Sequence, residues 1–151
     1  MRVPILLLLG SMVVCVACAR RAGPPVVTPI GGTVAQAAGG EWEYRADNPE
    51  GDRVAEGTLT LRVEESSLIS GTWHINPVGE TRDIGPQIGD GRLEGYVDTG
   101  GLVHLNLNPD YADNNVSLVG TIEGDIFTGT WNYATIAGVR TSGAFRASRR
   151  D

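Results

Sequence analysis

From Glu41 to about Ser148 apolar and polar residues alternate with a period of two, and no stretch sustains a helical period. Leu59, Leu61 and Val63 alternate with Thr58, Thr60 and Arg62, and Val103, Leu105 and Leu107 alternate with His104 and Asn106. Phe127, Trp131 and Tyr133 share a face with Gly129, opposite Thr128, Thr130 and Asn132. Successive side chains of a strand point to opposite faces, so this pattern is that of half-buried strands. Turn chemistry separates the runs at Glu64-Glu65-Ser66-Ser67, Gly89-Asp90-Gly91, Asp98-Thr99-Gly100-Gly101 and Glu123-Gly124-Asp125. Gly adopts positive φ without a steric penalty, and Asp satisfies local backbone donors. The pattern predicts strands at 41–46, 54–64, 67–75, 80–85, 92–98, 102–107, 116–122, 125–133 and 139–148, with Gly85 and Pro86 interrupting the fourth. Eight or nine short antiparallel strands joined by tight turns make an all-β fold, expected as a small up-and-down β-barrel. Closure leaves such a meander without an exposed edge.

The domain also repeats itself. Gly71-Thr72-Trp73 recurs as Gly129-Thr130-Trp131, and Leu68-Ile69-Ser70 matches Ile126-Phe127-Thr128 in character. One such hairpin in each half fits a pseudo-symmetric barrel. Trp73 and Trp131 either plug its core or face a ligand. With Gly143-Ala144-Phe145-Arg146-Ala147 near the end, this rhythm resembles lipocalin-like and avidin-like small barrels over residues 41–148. The first strand, Glu41-Trp42-Glu43-Tyr44, departs from the Gly-Thr-Trp of the avidin type, and no biotin-holding residue carries over. Gly40-Glu41-Trp42 loosely matches the Gly-x-Trp of lipocalins. The resemblance implies a barrel that takes a small apolar or amphipathic ligand in its open end, with Trp42, Tyr44, Trp73, Trp131 and Tyr133 as aromatic lining or plug.

The N-terminus is of another kind. Met1-Arg2 is a positive start, and Val3 to Ala19 carries no charge, with Ile5-Leu6-Leu7-Leu8-Leu9 at its centre. That is the layout of a signal peptide; an uncleaved anchor is the alternative, at the short limit for a membrane span. Cys15-Val16-Ala17-Cys18 resembles the lipobox of bacterial lipoproteins, with Cys15 where Leu is usual. By that resemblance residues 1–17 are removed and Cys18 is diacylated and becomes the mature N-terminus, anchored in a membrane of the cell envelope. Plain secretory cleavage near Ala17 or Ala19 is the competing reading. No Asp follows Cys18, which by the same resemblance suits the outer membrane of a diderm host. Residues 18–40 hold the attachment Cys and a Pro-, Gly- and Ala-rich stretch expected to be a disordered tether, reaching roughly 25 Å as a flexible coil.

Composition narrows the chemistry. The net charge of −6 argues against a broad basic face for nucleic acid. All 12 basic residues are Arg, which excludes a Schiff-base or P-loop lysine. Both cysteines lie in the leader, so the domain has neither a disulfide framework nor a thiolate metal site. His74 and His104, the only histidines, fall opposite the apolar faces of their strands and are expected to meet solvent. Ser66, Ser67 and Ser142 have no His beside them and no nucleophile elbow. Asp83, Asp90, Glu94 and Asp98 read as surface acids, with a carboxylate pair as the sharper alternative. The loop from Asn108 to Asn115 offers Asp110, Asp113 and Asn114 as oxygen ligands for Ca²⁺, but Asx turns explain it without an ion. No catalytic, cofactor or metal site is therefore assigned, and a non-enzymatic role is expected. The ligand-binding barrel leads. A structural or protein-binding envelope module, with a filled core and no ligand cavity, is the rival.

Overall fold

The computed structural model describes residues 34, 36–64, 67–79 and 84–151. The leader, Cys18 and the tether as far as residue 33 lie outside the described residues. Eight strands follow in chain order: β1 (Gly40–Asp47), β2 (Arg53–Val63), β3 (Leu68–Pro77), β4 (Gly89–Val97), β5 (Val103–Asn106), β6 (Asn114–Glu123), β7 (Ile126–Thr135) and β8 (Gly138–Arg149). Each pairs antiparallel with its neighbours in sequence, and β8 closes on β1. The chain is an all-β, up-and-down, closed eight-stranded barrel.

Cross-strand partners share a face, so the register turns the alternation into rows. One inward row runs Trp42, Leu59, Trp73, Gly91, and another runs Leu105, Leu118, Trp131, Gly143. The Trp of each Gly-Thr-Trp thus lies opposite a glycine on the next strand. A Cβ on Gly91 would collide with the Trp73 ring, and one on Gly143 with the Trp131 indole and the Asp47 carbonyl. The indole Nε1 of Trp73 donates to the Leu107 carbonyl at 2.7 Å, and that of Trp131 to the Asp47 carbonyl at 2.8 Å. Each acceptor sits just beyond or at the end of the strand after that glycine, so the repeated tripeptide marks a pseudo-twofold relation between the two halves.

Two expectations change. Gly89-Asp90-Gly91 is the start of β4, not a turn, because Gly91 is needed beneath Trp73. No strand runs through Ile84 and Gly85; residues 80–83 are outside the described set. Ile84 to Ile88 instead form a loop folded into one end of the barrel, where Ile84 is buried and Gln87 is 0 % exposed. Gln87 can lie there because its amide is satisfied at both ends: it accepts from the Tyr44 hydroxyl at 3.1 Å and donates to the Ile84 carbonyl at 2.8 Å. That end, formed by the β1–β2, β3–β4, β5–β6 and β7–β8 connections, is the mouth; the other is the base.

The base is closed by residues 36–40, the end of the stretch expected to be a tether. Residues 36–38 make a helical turn and Ala38 is buried in the core. Trp42 Nε1 donates to the Ala38 carbonyl at 2.9 Å. The Arg149 guanidinium lies 4.3 Å over the Trp42 ring and donates to the carbonyls of Gly39 and Ala37 and to the Asp125 carboxylate. Residues 36–40 therefore belong to the barrel. Their Ala- and Gly-rich composition gave no sign of this, because their backbone carbonyls make these bonds.

Candidate functional site

Of the five interior aromatics singled out from sequence, Trp42, Tyr44, Trp73 and Trp131 are buried, and Tyr133 is partly buried and packed against the core. Trp42 meets Phe127 edge-on at 6.2 Å, Phe127 meets Phe145 at 4.8 Å, and Phe145 meets Tyr44 at 6.0 Å. A ladder of rings thus runs from base to mouth. Tyr133 lies against Gly85 of the inserted loop, where a Cβ would strike its ring. Burial pushes the Tyr44 phenol far above its ordinary range, and the nearby Asp47 charge adds to the effect. These groups are brought together as a packed interior under a stopper.

The outer wall carries the more accessible chemistry. One outward row reads Leu68, Tyr96, His104, Val119 across β3 to β6, and the next row toward the mouth places Glu94, Asn106 and Ser117 side by side. Between them lies a groove of about 440 Å³, also lined by Pro109 of the β5–β6 loop. The Tyr96 and His104 rings stack at 4.7 Å with planes 8° apart, and Tyr96 is 49 % exposed. His104 is fixed from behind: Nε2 lies 3.0 Å from Asp98 Oδ2, while Asp98 Oδ1 accepts from the Gly100 and Leu102 amides at 2.8 and 3.0 Å. The His104 bond and these backbone donors hold the Asp98 carboxyl below its ordinary value.

Both histidines face outward as expected, and each meets an aspartate: His74 Nδ1 lies 2.7 Å from Asp90 Oδ1. Glu94 pairs with Arg92 at 3.1 Å. Asp90, Glu94 and Asp98 therefore have three different partners and do not form a carboxylate pair with one another; Asp83 is outside the described residues. In the polar loop, Asn108 Nδ2 donates to the Asn114 carbonyl at 2.8 Å and the Asn108 amide to Asn106 Oδ1 at 2.9 Å. Among the described residues, no three His, Cys, Asp or Glu side chains are placed to hold a metal ion.

Tyr96, Asn106 and Ser117 were not singled out from sequence, and Glu94 was singled out only as one of the acids. Their only signal was outward parity on three strands, and register alone makes them neighbours.

No protein-family model and no curated protein matches this chain. Among solved structures it is similar to the barrel EF1p2_mFAP2b bound to DFHBI, with a TM-score of 0.55 and 12 % identity, over 78 % of this chain and 97 % of that one. It is also similar to mFAP1, a redesigned β-barrel bound to DFHBI, with a TM-score of 0.50 and 18 % identity, over 77 % and 98 %. At such identities the likeness is one of fold: a small β-barrel of the same architecture as these two barrels.

Proposed function

We propose that the protein is a non-catalytic binding module of the cell envelope, held to a membrane through acylated Cys18, that meets its ligands or partners with its outer wall and rim. The observation that carries this reading is the occupied interior. Trp42, Tyr44, Trp73 and Trp131 have almost no exposure, and Ile84 and Gln87 stop the mouth. A ligand site needs concave space with a few convergent polar groups, and the outer groove at Tyr96 has both. The anchor rests on the lipobox-like Cys15-Val16-Ala17-Cys18.

A second reading keeps the ligand inside, supported by the two similar barrels that bind DFHBI. For this chain it requires Ile84 and Gln87 to leave the mouth. Titration with DFHBI separates the two. The native protein is expected to give no saturable rise in emission, and a saturable one-to-one rise makes the interior the site. Mass spectrometry of the mature protein from host membranes tests the anchor. A diacylated Cys18 is expected; a soluble form with an unmodified N-terminus at another residue removes the lipoprotein reading.

A further inference from the structure

The geometry points to the outer groove at Tyr96 as a site for a pyranose sugar, with the ring's C–H face on the Tyr96–His104–Val119 row and its hydroxyl edge on Glu94, Asn106 and Ser117. This deepens the outer-wall reading and is independent of the lipid anchor.

The two rows stand about 7 Å apart along the strands, and neighbouring strands are about 4.8 Å apart. The groove is thus a rigid plate, apolar along one side and hydrogen-bonding along the other. The aromatic side is pre-set: Tyr96 and His104 are stacked, and Asp98 fixes His104 through its other edge. The polar side has spare capacity. Asn106 uses Oδ1 for the Asn108 amide, which leaves Nδ2 directed to no partner among the described residues. Glu94 engages Arg92 through Oε1, and Oε2 makes no bond among the described residues.

Other ligand chemistries use only half of this plate. An alkyl chain covering the second row would desolvate a carboxylate and an amide and return no hydrogen bond. A small ion would leave the aromatic row unused. A free cation gains little, because Glu94 is already matched by Arg92. A sugar ring presents an apolar face and a hydroxylated edge on one rigid frame, and about 440 Å³ accommodates one or two such rings.

The test is a titration of the isotope-labelled protein with N,N′-diacetylchitobiose and with maltose, read by amide chemical shifts, with triethylene glycol as a non-sugar control. At least one sugar is expected to give saturable shifts at Glu94, Tyr96, His104, Asn106 and Ser117, with a Kd on the order of millimolar or tighter. Tyr96→Ala is expected to weaken binding by about tenfold, and Tyr96→Phe to retain it. Tyr96 is half exposed, and an unchanged urea midpoint and near-ultraviolet spectrum certify that each variant is folded. No saturable shift with either sugar, equal shifts with triethylene glycol, or undiminished binding by Tyr96→Ala overturns the inference and leaves the outer-wall reading standing. Shifts centred on the buried indoles of Trp42 and Trp131 overturn both.

Discussion

At the scale of single residues, two inward glycines decide how the largest side chains are stored. Gly91 and Gly143 lie opposite Trp73 and Trp131 in the register, and each indole occupies the volume a Cβ would take. The two are not equivalent. At Gly91 the obstacle is the Trp73 side chain alone; at Gly143 the Asp47 backbone carbonyl is also in the way, and backbone yields less readily than a side chain. Gly143→Ala is therefore expected to cost about 3 kcal/mol and Gly91→Ala about 1–2 kcal/mol, measured by urea unfolding. Equal costs would show that Asp47 moves freely. The sequence displayed these glycines but not their task. Gly91 stood beside Gly89 and Asp90 and read as part of a turn, whereas Gly143 stood in a strand with no sign of what lay across from it.

At the scale of elements, the seam between β4 and β5 and the seam between β8 and β1 are short. The first pairing ends at Glu94 and Asn106, and the second at Ala46 and Phe145. Trp73 reaches across the first seam, its Nε1 contacting the Leu107 and Arg92 carbonyls, and Trp131 reaches Asp47 across the second. Each indole thus replaces ladder bonds that the strands do not make. Trp73→Phe and Trp131→Phe are each expected to destabilise the barrel by about 2 kcal/mol, from a lost hydrogen bond to a carbonyl and a smaller ring. The pseudo-twofold relation predicts costs that agree within about 1 kcal/mol, with faster amide exchange along the affected seam. The repeated Gly-Thr-Trp was plain in the sequence and placed one such hairpin in each half. Its acceptors were not, because backbone carbonyls carry no side-chain signature.

At the scale of the whole molecule, the mouth is stopped by the chain's own β3–β4 loop, and the Tyr44 hydroxyl holds Gln87 there. This arrangement predicts a pH dependence. In the unfolded chain the Tyr44 phenol ionises near pH 10, whereas in the barrel burial and the Asp47 charge keep it protonated well above that. Above pH 10 the unfolded state therefore binds fewer protons than the folded one, so stability falls as pH rises beyond that point. Below it Tyr44 contributes no pH dependence. Tyr44→Phe is expected to flatten this alkaline decline in urea-unfolding profiles, and an unchanged decline would assign it to other groups.

Alternation with a period of two, punctuated by turn residues, determined an all-β meander, the approximate place of all eight strands though with a ninth counted at 80–85, and which residues turn inward. That much is local, because strand geometry alone fixes which face each side chain takes. The sequence also carried the lipobox-like Cys18 whole, as a contiguous motif, although its residues lie outside those described. Tertiary structure decided the rest: that the barrel closes, that Trp42, Tyr44, Trp73 and Trp131 fill it, and that Gln87 seals it. It also decided that Glu94, Tyr96, His104, Asn106 and Ser117 share one groove. These depend on register, and a shift of one residue turns every side chain of a strand to the other face. No stretch of sequence contains that register, because it is set by the packing of all eight strands at once.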